Sequence, residues 1–165
     1  MSFPNFVRSA SLNGVEKTQG RESLVVGSSS LAIIASLVLG VGFGSHLVLR
    51  HVVQTLPLWV PVALGFRRSR AAGWAGLPVF LFWFILMVLI WFYLLGMSKM
   101  LSGHFTPLEI VMTMVVGIAS VVGIWAFLKL KSLLPRGRAA VVFLLITAVQ
   151  FICFRLSFLP SIAHR

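Results

Sequence analysis

The sequence predicts an all-α integral membrane protein, a polytopic helical bundle with four transmembrane helices, or five in the alternative. Uncharged stretches such as residues 71–98 and 110–128 match the roughly 20 apolar residues that a helix needs to cross a bilayer. The composition agrees, because 59% of the 165 residues are hydrophobic and only 10% are charged. A soluble domain carries about 25% charged residues.

Two regions follow from this pattern, a polar tail at residues 1–23 and a single transmembrane domain at residues 24–165. The tail is too long and too acidic for an ordinary signal-peptide amino-terminal region. We therefore expect a disordered or surface-lying tail before an uncleaved first span. The spans are expected at about residues 24–49, 75–98, 107–128 and 139–159.

The first span carries small side chains at successive steps of four. They are Ser28, Ala32, Ser36, Gly40 and Gly44. Residues four apart share a helix face, and small side chains let a second backbone approach closely in lipid. The stripe predicts a helix-packing face, whose partner is another helix of this chain or a second protein.

Residues 50–70 are ambiguous. Pro57 and Pro61 interrupt the apolar run, and proline removes a backbone donor and disfavours helix at the preceding residue. We expect an interfacial or re-entrant basic segment here. In the alternative, residues 46–66 cross the membrane, which would submerge Arg50 and raise the number of spans to five.

The later spans have clear ends. Trp74 and Trp91 lie 17 positions apart, about 26 Å along a helix, as expected for two interfacial aromatic belts. Thr106, Pro107 and Glu109 combine three start signals, a capping hydroxyl, a proline at the first helical position and an acid that reaches back to the cap. The last span follows a tight basic turn at residues 134–138 and stops at Pro160.

The loop charges predict the orientation, because cytoplasmic loops carry an excess of Lys and Arg. Two loops are basic, and we expect both to be cytoplasmic and to contact anionic lipid headgroups through Arg67, Arg68, Arg70, Lys129, Lys131, Arg136 and Arg138. With four spans, 8 basic residues fall inside and 6 outside; with five spans, 10 fall inside and 4 outside. The carboxyl terminus is outside in both cases.

Few residues offer site chemistry. The chain has no Asp, and its acids are Glu16, Glu22 and Glu109, so paired-carboxylate and phosphoryl-transfer sites lack their acids. The single cysteine, Cys153, excludes an intrachain disulfide and a multi-cysteine metal site. The histidine spacing does not favour haem. We predict no catalytic residue, no metal and no cofactor.

One pair of ionisable residues stands out. Glu109 and Arg155 lie near the same end of two spans that a short turn connects. An intramembrane ionisable residue is a functional hypothesis by default, and we hypothesise an ion pair between them. The alternative is that Glu109 only caps its helix and that Arg155 reaches headgroups.

Two functions remain open. The first is a non-enzymatic accessory or scaffold subunit that associates with a membrane-protein partner, or with itself, through the small-residue face. The second is a small transporter or channel component for an anionic solute or lipid, which would use Arg155, Lys99 and His104, with Arg50 and His51. The net charge of +11 comes from juxtamembrane residues, which favours lipid over nucleic acid. We expect a bacterial inner membrane.

Overall fold

The computed structural model describes residues 4–97, 105–130 and 134–163, and all regular structure in these ranges is helical. The elements are α1 (Pro4–Ala35), continued by a π-helical segment (Ser36–Gly42), α2 (Val48–Thr55), a 3-10 turn (Leu56–Leu58), α3 (Trp59–Phe66), α4 (Ala72–Leu94), α5 (Pro107–Lys129), α6 (Arg136–Leu156) and the short α7 (Pro160–Ala163). Most of the predicted polar tail therefore belongs to α1.

Five helical stretches are long and apolar enough to cross a membrane. They are Thr18–Gly42, Val48–Phe66, Ala72–Leu94, Pro107–Lys129 and Arg136–Leu156. The predicted class, a polytopic helical bundle, is confirmed. The structure favours the alternative of five spans over the preferred four, because the segment expected to be interfacial or re-entrant forms the second of these stretches.

The two prolines of Val48–Phe66 do not break the helical path. Pro57 lies in the 3-10 turn between α2 and α3, and Pro61 is the third residue of α3. The amide groups in the first turn of a helix have no intrahelical acceptor, so proline costs little there. The segment therefore continues across both prolines and reaches the length of a span.

Three turns between helices use the same hydrogen bonds. After the first, second and third spans, the residue in the left-handed conformation is His46, Arg68 and Gly96, with φ of 58°, 53° and 72°. In each turn two backbone amides bond back to the end of the helix, as in the Schellman motif. The first span thus ends at Gly42, and the predicted end at Leu49 is wrong because that residue already belongs to α2.

The helices pack in an order that differs from their order in the chain. α1 contacts α5 and α3, α4 contacts α5, and α6 lies against α4 and α2. α1 and α3 cross at two glycines, where a Cβ atom added to Gly65 would lie 2.6 Å from the Cα atom of Gly27. A buried apolar core that includes Phe80 and Trp83 of α4 fills the centre.

The bundle has a basic end and an opposite end. At the basic end, the hydroxyl of Ser23 donates to the carbonyl of Ser69 at 3.2 Å, and the ring of Trp74 meets that of Phe127 edge-on at 5.0 Å. Seven of the nine described Lys and Arg side chains lie at this end. They are Arg21, Arg67, Arg68, Arg70, Lys129, Arg136 and Arg138. The opposite end holds Arg50 and Arg155, together with Glu109.

Candidate functional sites at the α1–α5 groove and the opposite end

The small-residue stripe of α1 is divided between two environments. Ser36 and Gly40 are buried, and a Cβ atom added to Gly40 would collide with the side chain of Met112 on α5. Ser28 is exposed and Ala32 is half-buried, while Gly44, also exposed, has Leu108 as its neighbour. The part of the stripe formed by Ser36 and Gly40 therefore packs within the chain.

The other part of the stripe, Ser28 and Ala32, lines an open groove between α1 and α5, with a volume of about 640 Å³. Its α1 wall includes Ser28, Ser29 and Ala32 beside Leu24 and Val25, and its α5 wall includes Ala119 among branched side chains. Arg21 lies at its basic end. The groove is open and apolar, and the small side chains at Ser28, Ala32 and Ala119 are of the kind that let another helix approach closely in lipid.

Glu109 caps the amino terminus of α5. Its carboxylate accepts hydrogen bonds from the backbone amide of Thr106 at 2.8 Å and from the Thr106 hydroxyl at 3.0 Å. The amide of Glu109 in turn donates to the Thr106 hydroxyl oxygen at 3.3 Å. This capping box satisfies amides that would otherwise lack acceptors at the helix start.

The hypothesised ion pair is not formed in the part of the chain that the structure describes. Glu109 is buried and bonded to Thr106, whereas Arg155 is exposed. The hypothesis assumed that α5 and α6 are neighbours because a short turn joins them. Instead α6 packs against α4 and α2, while α5 packs against α4 and α1. A short connection makes two helices antiparallel, but it does not require them to pack against each other.

Uncharged polar side chains join α2 to the end of α6, and the sequence reading missed them. The Nε2 group of Gln54 donates to the Ser157 hydroxyl at 2.9 Å, and the Nε2 group of Gln150 donates to the carbonyl oxygen of Gln54 at 3.4 Å. Gln54 is 4% and Gln150 1% exposed. The Oε1 atom of Gln150 is buried without a partner. Two glutamines inside apolar runs were the available signal, since buried amides need partners.

Arg50 lies on the same face of α2 as Gln54, one turn nearer the helix start. Its guanidinium carbon is 4.1 Å from the centre of the Phe158 ring, and its Nε atom is buried without a hydrogen-bond partner. The Nδ1 group of the adjacent His51 donates to the Leu47 carbonyl at 2.9 Å.

The cations expected to contact anionic lipid are exposed where the structure describes them. Arg67, Arg68 and Arg70 lie in the turn between α3 and α4; Lys129, Arg136 and Arg138 lie beside the turn between α5 and α6. The Nζ atom of Lys129 is 4.9 Å from the centre of the exposed Trp125 ring. Lys131, Lys99 and His104 lie outside the described residues.

Within the described residues, no three His, Cys, Asp or Glu side chains lie together in a way that could hold a metal ion. Cys153 is buried on α6. The described residues offer packing surfaces and cationic hydrogen-bond donors. No protein-family model matches the chain, and comparisons with curated proteins and with solved structures also give no match.

Proposed function

We propose that this protein is a non-enzymatic accessory or scaffold subunit of a membrane complex, and that a helix of its partner lies in the groove between α1 and α5. The observation that carries the proposal is the open half of the small-residue stripe. α5 occupies the face of α1 at Gly40, whereas Ser28 and Ala32 stay accessible along the groove.

Helix association in lipid depends on close packing, since lipid tails are as apolar as the side chains they would replace. A third helix gains the most contact where two backbones are already flanked by small side chains. The α1–α5 groove meets this condition at Ala32 and Ala119. The bundle interior, by contrast, is filled by Phe80, Trp83 and their neighbours, which supports a packing role over passage of a solute through the centre.

Ala32→Leu tests this proposal, because a leucine side chain would occupy the groove. Ala148→Leu is the matched control, since Ala148 is exposed on α6, away from the groove. Native mass spectrometry of the protein extracted from its own membrane in a mild detergent should show a stoichiometric second protein. That species should disappear in Ala32→Leu and persist in Ala148→Leu. A chain that runs alone, or that carries only phospholipid, would contradict the proposal.

Gly40→Leu is unsuited to this test. Any side chain at Gly40 would collide with Met112 of α5, so the variant would disturb the fold whether or not a partner binds. Ala32 avoids this problem because it is half-buried and borders open space.

A second candidate function is a small transporter or channel component for an anionic solute or lipid. Arg50 favours it, because its buried Nε atom has no hydrogen-bond partner and it lies at the same end of the bundle as Arg155. Release of a fluorescent anion from liposomes that contain the protein should then slow in Arg50→Gln. Equal release with the wild-type protein and with empty liposomes would dismiss this candidate.

We further propose a bacterial inner membrane with the basic end in the cytoplasm. Support comes from the concentration of Arg21, the α3–α4 turn and the α5–α6 turn at one end of the bundle. Such a bias is typical of cytoplasmic loops, and anionic headgroups would attract these cations. Five spans then put the amino terminus inside and the carboxyl terminus outside.

A further inference from the structure

Arg50 is a half-buried charged side chain in a helix long and apolar enough to cross a membrane, and it has no acidic partner among the described residues. Its Nε atom is buried and makes no hydrogen bond. Glu109 is the acid at this end of the bundle, and its carboxylate is bonded to Thr106. A guanidinium stays protonated in proteins, and a buried charge is costly unless it is paired. An anion from outside the chain would pair with the charge of the Arg50 guanidinium.

The surroundings hold the Arg50 guanidinium in place. The Phe158 ring supports it from the carboxyl-terminal end of α6, at 4.1 Å. Next to this contact, Gln54 donates to the hydroxyl of Ser157, and Gln150 donates to the carbonyl of Gln54. These bonds fasten α2 to α6 on the face that carries Arg50. A side chain that is fixed before a ligand arrives loses little conformational entropy on binding.

Stacking on an aromatic ring uses the face of a guanidinium and leaves the N–H groups along its edge for acceptors in its plane. Those groups form a fork that matches the oxygens of a carboxylate or phosphate. Arg50 is the third residue of α2, and helical side chains lean toward the amino terminus of their helix. The fork is therefore directed toward the end of the bundle at which α2 begins, away from the apolar middle of the span.

A second cation lies near the same ring. Arg155 and Phe158 both line an open pocket of about 830 Å³ at the end of α6. Phe158 thus contacts Arg50 and also borders the pocket that contains Arg155. Among the described residues, no acidic side chain lines this pocket. Two arginines beside an apolar pocket suit an anionic group that carries acyl chains, and also a small anion alone.

We propose that Arg50, supported by Phe158, binds a phosphate group, supplied by a phospholipid headgroup or by soluble phosphate. Arg155 adds charge at the mouth of the site. The proposal goes beyond the accessory role, because the site lies between α2 and α6 and does not involve the α1–α5 groove. A partner protein and a phosphate ligand could be gained or lost independently.

The full-length protein in detergent tests the proposal with two probes. Native mass spectrometry compares phosphatidylglycerol with diacylglycerol of the same acyl chains, and isothermal titration calorimetry measures inorganic phosphate. We expect phosphatidylglycerol to bind at least tenfold more tightly than diacylglycerol. Binding of both phosphate probes identifies a site for soluble or lipid phosphate, whereas binding of phosphatidylglycerol alone identifies the lipid as the source.

The variants assign the binding to Arg50. Arg50→Gln should weaken phosphatidylglycerol binding at least tenfold, and Arg50→Lys severalfold, because lysine keeps the charge but loses the fork. Phe158→Leu keeps Arg50 and removes its support, so it should fall between wild type and Arg50→Gln. Phe66→Leu, which removes an exposed aromatic ring at the other end of the bundle, is the matched control for Phe158→Leu and should bind as wild type does.

Equal binding of phosphatidylglycerol and diacylglycerol would overturn the proposal, and so would unchanged binding in Phe158→Leu together with Arg50→Lys. These two variants carry the test if Arg50→Gln fails to fold. Loss of the partner protein in Ala32→Leu with phosphate binding intact would separate this site from the proposed docking groove.

Discussion

The crossing of α1 and α3 makes the sharpest prediction for stability. In Gly65→Ala, the new Cβ atom would lie 2.6 Å from the Cα and N atoms of Gly27 and 2.7 Å from the carbonyl oxygen of Ser23. Carbon atoms prefer a separation of about 3.5–4.0 Å, so the two helices must move apart by about 1 Å. All three contacted atoms belong to the backbone, and none can swing away as the end of a side chain can.

Overpacking of this kind costs about 1–3 kcal/mol, and we expect the upper value because a whole helix must shift. Alanine recovers about 1 kcal/mol through its better helix propensity. The free energy of unfolding of Gly65→Ala should therefore fall by about 2 kcal/mol, which is roughly a 30-fold change in the unfolding equilibrium constant.

The protein contains its own reporter for this measurement. Cys153 is the single cysteine of the chain and is buried, so a thiol-reactive dye labels it as the bundle unfolds. Gly117→Ala is the matched control, since the nearest atom to its new Cβ, the Cβ of Met87, is 3.9 Å away. Gly117→Ala should be as stable as wild type or more so. When the protein is heated with the dye, Gly65→Ala should be labelled at a lower temperature than wild type. If both are labelled at the same temperature, the close crossing of α1 and α3 is refuted.

Three further predictions follow from the packing and the turns. Glu109→Gln and Arg155→Gln should have additive effects on stability within about 0.5 kcal/mol, because the two side chains share no contact; a larger coupling in the double mutant would restore the ion pair. Gly123→Ala should destabilise by about 1–3 kcal/mol, since its Cβ would collide with the ring of Phe80, and Phe80→Leu should recover part of the loss in the same thiol-labelling assay. Reporter fusions at the two chain ends should be active on opposite sides of the membrane, as five spans require, whereas activity on the same side would support four.

The class of the fold and the start of α5 could be read directly from the sequence. Long uncharged runs leave few alternatives to membrane helices, because lipid offers no hydrogen-bond partner to an irregular backbone. The residues 106–109 carry a local signal, since a capping box depends only on side chains three positions apart. Both inferences depend on residues that lie close together in the chain, so the sequence alone is sufficient for them.

The predicted helix boundaries were wrong where the backbone adopts conformations that the residue types do not favour. His46 and Arg68 occupy the left-handed position that usually belongs to glycine. The first apolar run stays uncharged as far as Leu49, so the predicted first span passed over the turn at His46 and extended into α2. The preference for four spans had a different cause, because Pro57, Pro61 and Arg50 favoured an interfacial segment over a span.

The lateral arrangement was also beyond the reach of local patterns. Small side chains on α1 indicate that something packs there, but they do not identify the neighbour. The neighbour at Gly40 is α5, and the neighbour at Gly27 is α3. The contact between Gln54 and Ser157 spans 103 positions, and no spacing rule connects residues so far apart.

The charges of this chain are not balanced within the molecule, whereas its helix crossings are packed. The helix crossings are packed within the molecule, where Gly27, Gly40 and Gly123 are covered by α3, Met112 and Phe80. Charge is not completed, since 14 basic residues face 3 acids and the capping Glu109 is already occupied. Anions from headgroups, solutes or partners must therefore balance both ends. We expect the lipid composition to change the stability of the bundle through its ends, while substitutions at the helix crossings change it in any detergent.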